Sequence, residues 1–79
     1  MNKQEISVQI NEVFIDILND ESITLNKTTK PQDIEEWDSL MHVQLVVGLE
    51  KKFKIRFMAK EIRNWSNVGE IIDCIYSKF

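Results

Sequence analysis

Apolar side chains recur at helical spacing in three separate stretches of this chain, and almost nothing interrupts them. Two glycines and one proline in 79 residues leave few breakers. Ile6, Ile10, Val13, Phe14 and Ile17 share one face of a first helix. Leu45, Val46, Leu49 and Phe53 share a face of a second, and Val68, Ile71, Ile72, Ile75 and Phe79 a face of a last. A helix with one apolar stripe must bury it against a neighbour. The class expected is therefore all-α: a small four-helix bundle, three helices longer and one short, with a long loop between the first two. The length allows one domain, 1–79, and no more.

Local signals place the boundaries. Asn2 followed by Glu5 has the pattern of a capping box, in which each residue satisfies a backbone N–H of the other. That helix is expected to end near Asn19 and to leave Val8 and Ile15 off its stripe. Residues 20–37 show no sustained period, which is unusual in so small a domain. Ile23, Leu25, Ile34 and Trp37 supply anchors, so the segment is expected to lie pinned across the helices. Pro31 suits the start of one short helical turn through Glu35, because its fixed φ fits a first helical position. Asp38 can cap a second helix from Ser39 to about Phe53 by accepting backbone N–H bonds. Lys54-Ile55-Arg56-Phe57 reads as an extended connector with Ile55 or Phe57 tucked inward. Ala59–Asn64 reads as a short third helix, with Ile62 and then Trp65 facing the core or a ligand. Asn67 and Glu70 repeat the cap-and-glutamate pattern. Cys74 falls off the inner stripe, a small side chain at a helix edge rather than a reactive thiol.

The second helix carries more apolar surface than one core contact uses. Taking ~100° per residue from Ser39, its core arc runs from about 240° to about 340°. Leu40, Val43 and Val47 form a second arc from about 40° to about 100°. Met41, Gln44, Gly48, Lys51 and Lys52 fill the remaining side. Either both arcs are buried around a central helix, or the second stays exposed and marks an interaction site. Ser39 stands at the start of this helix. Alone, such a serine is a capping or solvated hydroxyl. Its position also suits a phosphate group, because a helix N-terminus offers free N–H groups and the positive end of the helix dipole.

Other chemistries find little support. Residues 1–50 hold three Lys/Arg against ten Asp/Glu, and residues 51–79 hold seven against three. The basic cluster of Lys51, Lys52, Lys54, Arg56, Lys60 and Arg63 lacks interleaved aromatic platforms, so a solvated face or a contact for an acidic partner is the better reading than nucleic acid. The one cysteine forms no internal disulfide. No stretch approaches the ~20 apolar residues of a membrane span, and the first residues lack the apolar run of a signal peptide. A soluble, cytoplasmic protein is expected. The only histidine, His42, falls on the core side of the second helix at about 300° and reads as a partly buried packing residue. No elbow motif or third member makes a triad with Ser39. His42 and Cys74 alone make no metal site.

With Asp38-Ser39-Leu40 at mid-chain, a central helix after it and a short helix before the last, the chain resembles the acyl carrier protein family along nearly its whole length. The resemblance implies a non-catalytic carrier. Ser39 would bear 4′-phosphopantetheine, delivered from coenzyme A by a phosphopantetheinyl transferase that uses magnesium, with Asp38 as the acidic neighbour. Leu40, Val43, Val47 and Glu50 match partner-facing positions of the recognition helix. Ile62 and Trp65 match the mouth of the acyl cleft. The cargo, an acyl or aminoacyl group, would hang from the arm as a thioester and meet loading and transferring enzymes, the carrier itself being a monomer.

Two departures bear on pathway. Gln44, Lys51 and Lys52 stand on a recognition helix that is strongly acidic in fatty-acid carriers, and Trp37 replaces the small residue usual before the motif. The first implies weaker binding to the basic partners of ordinary fatty acid synthesis, and Trp37 resembles stand-alone carriers of specialised pathways: polyketide-like, aminoacyl or surface-polymer biosynthesis. The alternatives are a carrier-like module, never modified, that works through Leu40, Val43 and Val47, and, more distantly, a small serine hydrolase.

Overall fold

A computed structural model describes residues 2–79. Among them the backbone forms four α-helices: α1 (Lys3–Leu18), α2 (Ser39–Phe53), α3 (Ala59–Arg63) and α4 (Val68–Tyr76). A single 3₁₀ turn at Pro31–Asp33 interrupts the long α1–α2 loop. It stops short of the Glu35 expected from the sequence, because Ile34 is already extended.

Each of the three longer helices starts on the side chain that the sequence marks. The Asn2 side chain accepts from Glu5 N–H at 2.8 Å, and Glu5 returns the bond to Asn2 N–H at 3.3 Å. Asp38 accepts from Met41 N–H at 2.8 Å. Asn67 accepts from Glu70 N–H at 3.0 Å, but the Glu70 carboxylate reaches one residue further, to Ser66 N–H at 2.9 Å. Helix α1 ends at Asn19 and α2 at Lys54, both in the left-handed conformation that closes many helices.

Helix α1 packs against both α2 and α4. Its buried stripe is Ile6, Ile10, Val13 and Phe14, and α4 contributes Val68, Ile71, Ile72 and Ile75. On α2 the buried residues are Met41, Leu45, Leu49 and Phe53, one per turn. Here the sequence reading needs two corrections. Met41, set with Gln44, Gly48 and the two lysines on the side outside both apolar arcs, is core, whereas Val46 is only half-buried. The reason is Gly48: without a side chain it admits α1 so closely that an added Cβ would lie 3.0 Å from Val13 Cγ1. The core arc therefore turns toward Gly48 and Met41, and Val46 falls at its edge. Phe79, expected in the inner stripe of the last helix, lies beyond the end of α4 and is exposed, with its ring 6.3 Å from that of Phe53.

The long loop is held as the apolar anchors suggested, with polar ties in addition. Ile23, Leu25 and Ile34 pack on the core and Trp37 is buried in it. The Asn11 side chain accepts from Leu25 N–H at 3.0 Å and donates to Ile23 C=O at 3.4 Å. Val68 and Gly69 N–H, at the start of α4, donate to Thr29 and Lys27 carbonyls at 2.9 Å each. Those two N–H groups have no partner within their own helix, so the loop and α4 satisfy each other.

Candidate functional site

Ser39 occupies the first position of α2, and its side chain is exposed, as are those of Asp38 and Leu40. Asp38 is extended, so its carboxylate folds over the helix start and takes Met41 N–H, while its carbonyl takes His42 N–H. The N–H groups of Ser39 and Leu40 have no intrahelical acceptor by geometry. A phosphate ester on the Ser39 oxygen would sit beside them at the positive end of the helix dipole.

A cavity of about 490 Å³ opens next to Ser39. Trp37, His42, Ile62, Arg63 and Trp65 line it. Ile62 and Trp65, predicted for an acyl cleft, are thus brought to the same opening as Ser39. Three of its lining residues carry aromatic rings, Trp37, His42 and Trp65, and Phe14 and Phe57 pack against them, so that five rings lie edge to face or stacked. Trp37 meets Phe14 edge-on at 5.0 Å and stacks on His42 at 6.1 Å; Trp65 meets His42 at 6.0 Å and Phe57 at 4.9 Å.

His42 is more than the packing residue expected. Its Nδ1 accepts from Trp37 Nε1–H at 3.0 Å. An indole nitrogen only donates, so Nδ1 must be unprotonated and the ring neutral, with its proton on Nε2. Burial pushes the His42 pKa below the ordinary histidine value, in the same sense. No sequence pattern announces this bond, although Trp37 and His42 stand five apart across a helix start, within reach once Asp38 caps the helix. The Trp65 N–H is buried without a hydrogen-bond partner.

Behind Trp65, Glu61 ties α3 to α4. Its carboxylate accepts from Met58 N–H at 2.8 Å and from the Cys74 thiol at 3.4 Å, and pairs with Lys78 at 3.0 Å. The Met58 N–H and then Lys78 hold Glu61 below the usual carboxylate range. Burial pushes the Cys74 thiol up, and the Glu61 carboxylate adds to the shift. Cys74 is therefore a poor nucleophile at neutral pH.

The remaining predicted residues divide. Leu40, Val43 and Val47 are all exposed on the outer side of α2. Glu50 is half-buried, and its carboxylate accepts from Phe57 N–H at 2.9 Å, so it braces the α2–α3 loop. No cluster of three or more His, Cys, Asp or Glu side chains suited to a metal occurs among the described residues. No described helix is long and apolar enough to cross a membrane.

No family model matches the chain. Individual relatives do. An acyl carrier protein of Exiguobacterium sibiricum is 35% identical over 77 residues, covering 95% of each chain. The chain belongs to the acyl carrier protein family. A second acyl carrier protein, of Acidothermus cellulolyticus, is 28% identical over 75 residues, 95% of this chain and 89% of that one. Among solved structures, the holo acyl carrier protein of Geobacter metallireducens superposes with a TM-score of 0.85 at 37% identity, over 90% of this chain and 82% of that one. A protein of Mycobacterium tuberculosis assigned as an acyl carrier protein gives 0.82 at 25% identity, over 92% and 97%. The all-helical bundle is the fold of these carriers, and acyl carrier proteins are non-catalytic. With the family established, the hydrolase reading falls away.

Proposed function

We propose that this carrier holds an acyl or aminoacyl group as a thioester on a 4′-phosphopantetheine arm attached to Ser39, and serves a specialised biosynthetic pathway as a cytoplasmic monomer. The observation that carries the reading is the exposed Ser39 hydroxyl at the start of α2, at the lip of the cavity lined by Trp37, His42, Ile62 and Trp65. The residues present fit such an arm: the hydroxyl is open to a transferase, two free backbone N–H groups face the ester position, and nothing seals the opening. When bound, the arm supplies the thiol that holds the cargo.

The chain's own residues supply the rest. Asp38 keeps the helix start formed, so the N–H groups point outward. Trp37 and His42 set one wall of the cavity, and Ile62 and Trp65 the other. The aromatic lining favours short or ring-bearing cargo over a long saturated chain, since the neighbouring core positions of α2, Leu45 and Leu49, are fully buried. Tethering acts through effective concentration: a bound intermediate on a short flexible arm meets a docked partner's active site at about millimolar levels. A phosphopantetheinyl transferase, a loading enzyme and a transferring enzyme are the partners this requires.

Co-expression with a promiscuous transferase, followed by intact-mass measurement, tests the proposal. The wild type should gain the mass of one phosphopantetheine, and Ser39→Ala should gain none while keeping its helical content. A wild type that stays unmodified with several active transferases would leave the module that works through Leu40, Val43 and Val47 alone.

A further inference from the structure

The outer side of α2 is unpartnered, and its charge runs opposite to what an acidic recognition helix would present. Leu40, Val43 and Val47 are 69%, 61% and 44% exposed, and Met58, in the loop before α3, is 67% exposed. At the far end of the helix, Val47, Glu50, Lys51, Lys54, Ile55 and Arg56 line a groove of about 550 Å³. Glu50 is the only acidic residue in Ser39–Phe53, and it is committed to Phe57 N–H. Lys52 pairs with Glu12 of α1 at 3.5 Å. Lys51, Lys54 and Arg56, which line this groove, are exposed and enter no ion pair among the described residues. The apolar strip therefore runs into a rim of uncompensated cations, roughly 20 Å along the helix from Ser39.

We infer that this face docks on a partner enzyme whose contact patch has an apolar centre and an acidic rim. The inference rests on the carrier reading for what the docking achieves, though not for its chemistry. Uncompensated cations beside exposed apolar side chains select a surface of opposite sign, and like charges facing them would repel. Because the rim lies well away from Ser39, ionic contacts there orient the carrier while leaving the attachment end free to face the partner's entrance. The groove also argues against a lipid surface as the occupant. Its cations cluster at one end of the strip instead of flanking it, and its shape is concave where the Glu50–Phe57 bond draws the loop in.

The test uses the full chain, isotope-labelled for amide NMR, and two synthetic amphipathic helical peptides with the same leucine seam. One peptide is flanked by glutamates, the other by lysines. The glutamate peptide should shift the amides of Val43, Val47, Lys51, Lys54 and Arg56 and bind at least about tenfold tighter than the lysine peptide, with affinity falling as salt rises. In the triple variant Lys51→Glu, Lys54→Glu, Arg56→Glu the order of the two peptides should reverse; single Lys51→Glu, which leaves the left-handed cap at Lys54 untouched, should narrow the difference. Equal or tighter binding of the lysine peptide, or shifts on another face, overturns the inference. So does binding to phosphatidylglycerol vesicles when neither peptide binds. Transferase loading of the wild type is read in parallel by mass. Loss of peptide preference with loading intact sinks the docking face alone, and failed loading with the preference intact sinks the attachment reading alone.

Discussion

Replacing Trp37 by Phe keeps an aromatic ring against Phe14 but removes the N–H that His42 Nδ1 accepts. The bond is 3.0 Å long and part-buried, so losing it costs about 0.5–1.5 kcal/mol net. The smaller ring leaves a space in a wall that is only 7% exposed, adding about 1 kcal/mol. The sum is about 2 kcal/mol near pH 8, or a drop of roughly 10 °C in Tm for a domain of this size. Acid should change the comparison. Burial lowers the His42 pKa in the folded chain from 6.5. Below 6.5 the unfolded chain therefore binds the proton more readily, and the wild type loses stability as pH falls from there toward the lowered folded value. The Trp37 N–H also resists protonation at Nδ1. Without it, His42 titrates closer to 6.5 and the variant loses less. Thermal melts followed by far-UV circular dichroism at about pH 8 and about pH 5, with NMR titration of the His42 ring, measure both effects. The gap between wild type and Trp37→Phe should narrow on acidification. A gap that stays constant, with His42 titrating alike in both proteins, would refute the hydrogen bond as the source.

Three further outcomes follow from the packing. Gly48→Ala gains helix propensity but drives a Cβ to 3.0 Å from Val13, whose branched side chain is stiff in a helix; a net loss of about 1 kcal/mol is expected in denaturant melts. Asn11→Ala frees Leu25 N–H and Ile23 C=O together, so stability should fall by about 1–2 kcal/mol and amide exchange at Leu25 should rise more than at Ile71. Cys74, with its thiol pKa raised by burial, should alkylate much more slowly in the folded protein than the thiol of an attached arm, which peptide mapping after brief iodoacetamide treatment reads directly.

The sequence made the helices legible because their boundaries are set within four residues. Asn2 with Glu5, Asp38 with Met41 and Asn67 with Glu70 each form a local hydrogen bond, so a local reading finds them. The candidate site was legible in part for the same reason: Ser39 and Asp38 belong to a helix start. The pattern around α3 said only that Ile62 and Trp65 face the core or a ligand, and resemblance alone put them at the mouth of an acyl cleft, since nothing local says that α3 folds back beside Ser39. What escaped depends on contacts distant in sequence. Met41 looked like a residue outside both apolar arcs because the approach of α1 at Gly48 is invisible without Val13. Glu50 looked free because its partner, Phe57 N–H, lies in a loop. Glu61 gave no signal at all, yet it joins Met58, Cys74 and Lys78.

The central claim is that the Ser39 oxygen is the attachment point. Fragmentation mass spectrometry of the proteolytic peptide containing Ser39, taken from protein treated with coenzyme A and a transferase, measures it most directly. The account predicts one phosphopantetheine localised to Ser39, eliminated on fragmentation to leave dehydroalanine at that position. A modified protein whose added mass maps to Ser66, Ser77 or any other hydroxyl would contradict it.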